Sequence, residues 1–378
     1  MNDSNNNMNK NNKLVRGSAG LTSDDQTNAT ERRAKGEFVR GVSTARHWIT
    51  TVPPPPATTA ASENEYEVIF YPPETNRYHL YVAYNCPWCH RVLLGRAVMG
   101  LEEVITVDVC FPNRSTDDEP LGPNLWKFCP NGQIGSNGNF TTFDECTEDT
   151  VNGTSYVKEI YELAGIDDQK SVPVLFDKKT KTVVSNESAE ILRMMGTVLK
   201  PLARQRHASH QEEVDLYPTM YQSKIDELND WIYKTIANGS YKAGFSSNQE
   251  TYETAYKTFF AALQRLNDDI LSQSNFLVGN QVTEADIRLF PALFRFDPVY
   301  YSRFKLNEKF LWEYPNIWKW MTRMMALPGM ELVSNAAYLQ HCKQGYFGRT
   351  GNGTVPVGPL GYPECYKQPN PPFAKNGI

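Results

Sequence analysis

Two cysteines separated by two residues form the most reactive candidate motif of this chain. The segment Cys86-Pro87-Trp88-Cys89-His90-Arg91 directly follows a run of aromatic and aliphatic residues. If Cys86 caps a helix, Pro87 occupies the first helical position, where a missing N–H costs nothing. The Cys86 sulfur then lies at the positive end of the helix dipole, and His90 and Arg91 add positive character nearby. Both effects favour the thiolate, so we predict that Cys86 is a nucleophile.

Zinc binding and disulfide chemistry are the alternatives for this motif. Zinc would need two further ligands at a fitting spacing, and no second Cys-x-x-Cys occurs in the chain. We therefore favour catalytic or redox chemistry and expect no metal. Cys89 lies one turn deeper and is a possible redox partner of Cys86. The remaining thiols are expected to be incidental, with Cys110 in the core and the others in loops or at the surface: Cys129, Cys146, Cys342 and Cys365.

The elements that must position Cys86 follow a regular order. Apolar runs and periodicity predict strands and helices in the order strand, helix, strand, helix, strand, strand, helix, at 78–84, 86–99, 104–110, 156–164, 172–176, 182–184 and 187–195. Residues 111–150 are predicted to form a long loop. A cysteine at the first strand–helix junction of such an order is typical of a thioredoxin-like α/β domain.

Two further motifs suit a peptide that carries a thiol. Val172-Pro173 begins a strand, and in thioredoxin-like folds such a proline is cis and the backbone before it pairs with a peptide thiol. Ser185-Asn186-Glu187-Ser188 begins a helix whose free N–H groups suit the γ-glutamyl carboxylate of glutathione. An ordinary helix cap is the alternative for this second motif. Together with Cys86, the two motifs favour glutathione.

Strand signals vanish after Gln211, where amphipathic segments predict an all-α helical bundle at 211–238, 248–273, 283–296 and 315–326. Thr283 and Asp286 fit a capping box, and Arg288, Arg295 and Asp297 are expected to form buried ion pairs. The predicted parts of the chain are a disordered tail (1–36), an N-terminal extension (37–76), a thioredoxin-like domain (77–196), a linker (197–210), a helical acceptor-site domain (211–342) and an extended C-terminal tail (343–378).

Composition excludes several classes of function. The formal net charge of the 378 residues is −5, which gives no general electrostatic case for nucleic acid or an anionic membrane. No stretch approaches the ~18 apolar residues that span a bilayer, and the Asn-rich N-terminus lacks the apolar core of a signal peptide. We expect a cytoplasmic protein with reduced thiols, with an organelle as the weaker alternative.

Long stretches of this sequence resemble the glutathionyl-hydroquinone reductases, the Xi class of glutathione transferases. They include LYVAYNCPWCHRVLLGRAVMGLEEVI, SVPVLFDKKTKTVVSNESAEILRMM, NGSYKAGF, TEADIRLF and RFDPVYY, and the resemblance covers about residues 37–360. It implies the glutathione transferase fold, in which an all-α domain follows the thioredoxin-like domain, and a homodimer. It also implies that glutathione is the co-substrate and that quinone-derived small molecules are the other partners.

The resemblance assigns a role to each matching residue. Cys86 matches the nucleophile, and Tyr241 and Tyr346 match tyrosines of the acceptor pocket. Tyr300 joins these tyrosines, with core packing as an equal alternative. The residues that match the glutathione site are Trp126, Phe128, Val172, Pro173, Glu187 and Ser188.

The implied reaction removes glutathione from an S-glutathionyl-hydroquinone through a Cys86–glutathione mixed disulfide. One alternative is an omega-like thioltransferase or dehydroascorbate reductase that uses the same Cys86. Another is a non-catalytic glutathione-binding scaffold.

Two positions depart from the family pattern. Cys89 stands where the family usually has Ala, and a second thiol could form an internal disulfide and broaden the chemistry toward that of glutaredoxins. Gly345 stands where the family typically has His, which puts the local geometry of Tyr346 in question.

Overall fold

The computed structural model describes residues 33–53, 69–136, 139–204, 214–348 and 353–371. The predicted disordered tail, 1–36, lies outside these ranges except for its last four residues. Residues 205–210 of the predicted linker also lie outside them.

Short strands alternate with helices in the N-terminal half. The strands are β1 (Tyr78–Val82), β2 (Ile105–Val109), β3 (Gly132–Ser136), β4 (Asn139–Phe143), β5 (Val174–Asp177) and β6 (Thr182–Ser185). The helices are α1 (Pro87–Met99), α2 (Val157–Leu163) and α3 (Ser188–Gly196). Each strand and helix predicted here is present, with ends that differ from the prediction by at most two residues.

One mixed sheet carries the cysteine motif. Its strand order is β2-β1-β5-β6, in which β1 pairs in parallel with β2 and antiparallel with β5. All five residues of β1 are buried, because helices cover the sheet. Helix α1 starts five residues after β1 ends and packs against α3. It ends at Gly100, whose left-handed backbone (φ 71°) allows its N–H to bond the carbonyl of Ala97.

The predicted N-terminal extension packs along the free edge of β6. The N–H of His47 donates to the carbonyl of Val184 at 2.8 Å, and Asn186 donates to the carbonyl of Ala45 at 3.0 Å. The extension thereby pairs backbone groups that an edge strand would otherwise expose. It also brings residues 38–43 next to the N-terminus of α1.

Residues 111–150 are more ordered than the predicted loop. They contain β3 and β4, which pair as an antiparallel hairpin. A small apolar cluster of Phe111, Phe143 and Cys146 anchors the segment. Alternation of polar and apolar residues is weak in this stretch, so the strand signal was missed.

The C-terminal half is helical, as predicted. Its α-helices are α4 (Gln222–Ile232), α5 (Gly239–Gly244), α6 (Gln249–Arg265), α7 (Glu284–Phe294), α8 (Tyr301–Arg303), α9 (Pro315–Met325), α10 (Met330–Val333) and α11 (Ala336–Phe347). Three of them continue into or follow π-helical turns, at Tyr233–Ala237, Leu266–Ile270 and Phe296–Tyr300. Helix α4 begins well after the predicted residue 211, because Pro218 disfavours helix in the residue before it.

The predicted extended C-terminal tail, 343–378, is wrong for much of its described length. Helix α11 continues through Phe347, and Glu364–Lys367 forms a 3₁₀ turn. Tyr366 is fully buried against Trp318, with ring centroids 5.4 Å apart. These aromatic anchors hold the segment on the helical domain, although its many Gly and Pro residues suggested an extended chain.

The buried ion pairs were predicted correctly only in part. Arg288 pairs with Glu284. Arg295 instead donates to neutral acceptors, and Asp297 accepts from the Tyr362 hydroxyl at 2.6 Å and the N–H of Leu311 at 3.0 Å. Arg295 and Asp297, which were predicted to form ion pairs, are therefore hydrogen-bonded to neutral groups instead.

Three cysteines assigned to loops or the surface are buried: Cys146, Cys342 and Cys365. Cys129 is partly exposed and Cys110 is a core residue, as predicted. Across the part of the chain that the structure describes, no helix is long and apolar enough to cross a membrane.

The predicted capping box at the start of α7 is confirmed, and Asp286 does more than cap the helix. Its buried carboxylate accepts from the backbone N–H and hydroxyl of Thr283, from the N–H of Leu277 and from the indole of Trp320, at 2.8–2.9 Å. These bonds join α7 to α9 and to the preceding loop.

We expect Asp286→Ala to lower the free energy of unfolding by about 3 kcal/mol, because it strands several buried donors. Urea denaturation followed by tryptophan fluorescence measures the change. The control is Asp230→Ala, which removes an exposed ion pair with Lys234 and should change stability by at most ~0.5 kcal/mol. Equal losses in both variants would contradict the role assigned to Asp286.

Candidate active site

Cys86 is the N-cap residue of α1, with extended backbone (φ −83°, ψ 120°) and Pro87 in the first helical position, as predicted. Its sulfur lies 3.7 Å from the carbonyl oxygen of Val172, in the loop before β5. The Val172–Pro173 peptide bond is cis, as the sequence predicted. Because β5 runs antiparallel to β1, the loop after β1 and the loop before β5 meet at the same end of the sheet.

The surroundings of Cys86 favour its thiolate. Burial opposes ionisation, but hydrogen bonds from the Cys89 thiol and backbone, together with the charge of Arg40, lower the pKa of Cys86 to about 6. Burial and the charge of Cys86 raise the pKa of Cys89 well above its usual value. Cys89 is therefore the protonated donor of the pair and Cys86 the charged acceptor.

The source of positive charge differs from the prediction. His90 is fully buried, and burial and the neighbouring Arg295 hold its pKa well below the usual value, so its ring is neutral. Arg91 is also buried and donates to the Ser188 hydroxyl at 3.2 Å. The nearby cation is Arg40 of the N-terminal extension, whose guanidinium carbon lies 3.8 Å from the centre of the Trp88 ring.

A cleft of about 760 Å³ opens beside the Cys86 sulfur. The structure brings five of the predicted site residues to its wall: Cys86, Trp126, Val172, Tyr241 and Tyr346. Trp126 is buried, and the guanidinium carbon of Arg114 lies 4.2 Å from the centre of its ring. Phe128 does not line the cleft, because its ring packs against Tyr81 in the core at 5.7 Å.

The start of α3 differs from an open anion site. Glu187 caps the helix with its own carboxylate, which accepts from the N–H of Ala189 at 3.0 Å and from the hydroxyl of Ser43 at 3.3 Å. Asn186 lines the main cleft, whereas Glu187 lines a neighbouring cavity of about 350 Å³. Ser188 is buried and bonded to Arg91. A negative charge already occupies the helix end that was predicted to receive one.

Three tyrosines form a hydrogen-bonded chain, and two of them, Tyr241 and Tyr346, line the cleft. The hydroxyls of Tyr241 and Tyr346 bond each other, and the Tyr300 hydroxyl lies 3.4 Å from that of Tyr346. Burial raises the pKa of Tyr241 to about 12 and raises those of Tyr346 and Tyr300 well above the usual value of a tyrosine. All three are therefore proton donors at neutral pH. Tyr300 is fully buried behind Tyr346 and stacks on Phe304 at 4.7 Å, so both of its predicted roles are compatible with its position.

Gly345 has a steric explanation. A Cβ atom at this position would lie 1.9 Å from the side-chain nitrogen of Asn85. That nitrogen donates to the carbonyl of Pro112 at 3.1 Å, which fixes the Asn85 side chain beside Cys86. Asn85 therefore occupies the space that a side chain at 345 would need. Tyr346 keeps its place on the wall of the cleft.

Sequence reasoning missed several residues of this cleft. Phe38 and Arg40 come from the N-terminal extension, and Arg303 comes from α8. The only signal for Phe38 and Arg40 was that the family resemblance begins at about residue 37, and it assigned neither of them a role. Among the described lining residues, Arg40, Arg114, Lys170 and Arg303 are cationic and Asp168 is the one acid, so the cleft suits an anionic ligand.

The described residues contain no group of three His, Cys, Asp or Glu side chains arranged to hold a metal ion. The chemistry available at the cleft is that of a thiolate, three phenols and a set of cations.

Family models match both halves of the chain. The model "Glutathione S-transferase, N-terminal domain" matches residues 85–198, and "Glutathione S-transferase, C-terminal domain" matches residues 249–323. The fold and the cysteine-capped cleft thus define a glutathione transferase, and the predicted fold class is confirmed.

Similar proteins and solved structures indicate which class of glutathione transferase the chain belongs to. The chain is 37% identical over 330 residues to "Glutathionyl-hydroquinone reductase YqjG" of Escherichia coli, which covers 86% of this chain and 89% of that protein. It is 35% identical over 342 residues to "Glutathione S-transferase omega-like 2" of Schizosaccharomyces pombe, covering 88% and 97% of the two chains.

Among solved structures, glutathione-S-transferase Xi from Phanerochaete chrysosporium aligns with a TM-score of 0.69 and 36% identity, over 86% of this chain and 98% of that one. Glutathione-bound YqjG aligns with a TM-score of 0.66 and 38% identity, over 83% and 92%. The chain therefore belongs to the Xi class of glutathione transferases, the enzyme family of the glutathionyl-hydroquinone reductases.

We expect the alkylation rate of Cys86 by iodoacetamide to follow its thiolate fraction. Because the pKa is lowered to about 6, the rate should be half-maximal near pH 6 and fall as the pH drops further. Peptide mapping after timed labelling measures the rate at each pH. A midpoint in the ordinary thiol range near ~8.5 would contradict the assignment.

Cys89 variants test the cause of this shift. Cys89→Ala removes a hydrogen-bond donor and should move the midpoint to higher pH. Cys89→Ser keeps a donor and should move it less.

Proposed function

We propose that this chain is a glutathione-dependent reductase that removes glutathione from S-glutathionyl-hydroquinones. The observation that carries the proposal is the position of the Cys86 thiolate, between the backbone of Val172 and a wall of protonated tyrosines in one cleft. The family names and the glutathione-bound relative support the same substrate class.

Glutathione would bind as an extended peptide across the α1 side of the cleft. The backbone of Val172, before Pro173, pairs with its cysteine, while Trp126 covers it from the loop before α2. Glutathione carries two carboxylates and one ammonium group. The cationic lining suits the carboxylates, and the Glu187 carboxylate, with Ser188 beside it, suits the γ-glutamyl end through the ammonium group. Phe128 would act by supporting the Trp126 loop from the core.

The first half-reaction forms a mixed disulfide. The Cys86 thiolate attacks the glutathione sulfur, the sulfur–carbon bond breaks, and its electron pair goes to the ring carbon, which takes up a proton. Tyr241 or Tyr346 supplies or positions that proton, because both phenols are protonated and line the cleft. Tyr300 holds Tyr346 from behind.

The second half-reaction regenerates the enzyme. A second glutathione thiolate attacks the sulfur of the bound glutathione, which releases oxidised glutathione and the Cys86 thiolate. A sulfur of lowered pKa is a good leaving group in this exchange. A serine or tyrosine at the same position could not form the disulfide. The homodimer and the cytoplasmic location that the sequence suggests remain predictions.

Cys86→Ser should abolish the reductase reaction, with a loss of at least about a thousand-fold in kcat. Cys89→Ser should keep most of it, because a second glutathione resolves the mixed disulfide. Steady-state assays with S-glutathionyl-menadiol measure both. Full activity in the Cys86 variant would refute the proposal.

The two rival functions have their own tests. Higher rates on hydroxyethyl disulfide or dehydroascorbate than on the glutathionyl-hydroquinone would favour an omega-like enzyme. A chain that never carries glutathione on Cys86 by intact mass would be a binding scaffold.

Tyr346→Phe should lower kcat about 100-fold, since it removes a proton donor from the cleft wall. Tyr300→Phe should lower kcat less, because its hydroxyl reaches the cleft only through Tyr346. Tyr301→Phe, at a ring that stacks on Phe310 and does not line the cleft, serves as a control that leaves kcat unchanged. If Tyr300→Phe costs more than Tyr346→Phe, the order of the proton donors is wrong.

A further inference from the structure

Cys89 lies in the first turn of α1, close to Cys86, and is part of the hydrophobic core. It is the third residue of the helix, fully buried, and follows the N-cap Cys86 by three residues. Burial raises the pKa of Cys89, and hydrogen bonding between the two side chains raises it further and lowers the pKa of Cys86. A methyl group at this position, as the family usually has, could make no such contact.

The backbone around Cys89 also suits a sulfur that loses its proton. The N–H of Ala83, at the end of β1, points at the Cys89 sulfur from 3.4 Å. This donor would stabilise negative charge on Cys89 at the moment when Cys86 no longer carries it. Tyr161 and Tyr338 lie close enough to interact electrostatically with Cys89, and both keep protonated hydroxyls. Within the described residues, no carboxylate is recorded in contact with either sulfur.

We propose that Cys89 is a resolving thiol, which lets this chain reduce disulfides through its own Cys86–Cys89 pair without a second molecule of glutathione. This thiol–disulfide oxidoreductase activity goes beyond the removal of glutathione from hydroquinones. It would act on low-molecular-weight disulfides that fit the cleft.

The electrons and atoms balance in two steps. The Cys86 thiolate attacks a disulfide R–S–S–R, which breaks the S–S bond, forms Cys86–S–S–R and releases one R–S⁻ that takes a proton from solvent. The Cys89 sulfur then attacks the Cys86 sulfur, forms the Cys86–Cys89 disulfide and transfers its proton to the second departing thiolate. The chain is oxidised by two electrons and the disulfide substrate is reduced to two thiols. Glutathione can reduce the chain again.

The burial of Cys89 sets the order of events. Before the first step its proton is held in the hydrogen bond to the Cys86 thiolate. After that step Cys86 carries no charge, so the hydrogen bond weakens and the buried thiol is freed to react. The intramolecular step needs no further reactant, whereas attack by glutathione depends on the glutathione concentration.

A single-turnover reaction without glutathione tests the proposal. The reduced full-length chain is mixed with bis(2-hydroxyethyl) disulfide, and the released 2-mercaptoethanol and the intact mass of the chain are measured. The wild-type chain should release two thiols per chain and end two hydrogens lighter, with the new disulfide mapped to Cys86–Cys89. Cys89→Ala, which restores the usual family residue, should release one thiol and keep a hydroxyethylthio group on Cys86.

Cys146→Ser is the matched control, because Cys146, like Cys89, is a buried thiol. Its sulfur donates to the backbone carbonyl of Cys110, away from Cys86. This variant should behave as the wild-type chain does. A wild-type chain that stops at one thiol and keeps the adduct overturns the proposal, and so does a second thiol released by Cys89→Ala. The assay contains no hydroquinone, so its outcome is independent of the reductase function proposed above.

Discussion

The charged sulfur of Cys86 at the N-terminus of α1 is the feature on which the rest of this site depends. A buried thiolate is costly unless donors surround it. Here the donors are the first N–H groups of α1 and the Cys89 thiol, with the Arg40 charge nearby. Because most of these donors belong to the helix itself, the charge is stabilised before any substrate arrives. The walls of the cleft determine which molecules can reach the Cys86 sulfur.

The two domains meet beside the first turn of α1. Arg295, fully buried at the end of α7, donates to His90 of α1 at 2.7 Å and to the carbonyl of Tyr84 at 2.8 Å. The helical domain thus holds both the active-site helix and the loop that leads into it. Arg295 has no recorded ion pair with a carboxylate among the described residues. Its charge partly offsets the burial that raises the pKa values of Tyr300 and Tyr346.

The N-terminal extension completes the cleft from a third direction. Its backbone pairs with the edge of β6, and this pairing delivers Phe38 to the tyrosines and Arg40 to Trp88. The ring of Phe38 lies 5.9 Å from that of Tyr241. A segment that supplies no element to the sheet order therefore provides a cation whose charge helps to lower the pKa of Cys86. The aromatic wall and the positive charge of the cleft come from parts of the chain that are distant in sequence.

Local chemistry was sufficient to predict much of this protein. The cis bond before Pro173 was inferred from the likeness to thioredoxin-like folds, whereas the order of strands and helices and the Cys86 cap with Pro87 follow from residue type and short spacing. The capping box at Thr283 follows in the same way. These features depend on a few neighbouring residues, so the sequence contains their whole cause. The resemblance to a family then added the tyrosines, which no local pattern could assign.

Contacts between distant segments determine the features that the sequence did not predict. The neutral state of His90 depends on burial and on the charge of Arg295, 205 residues away. The C-terminal segment is folded because Tyr366 reaches the helical core. Glu187 turned out to cap its own helix, and Gly345 is small because Asn85 needs its space. By itself, the sequence predicted which sulfur is the nucleophile and determined which elements present it. Only the tertiary structure decided which charges and rings surround that sulfur, because burial and long-range packing set both.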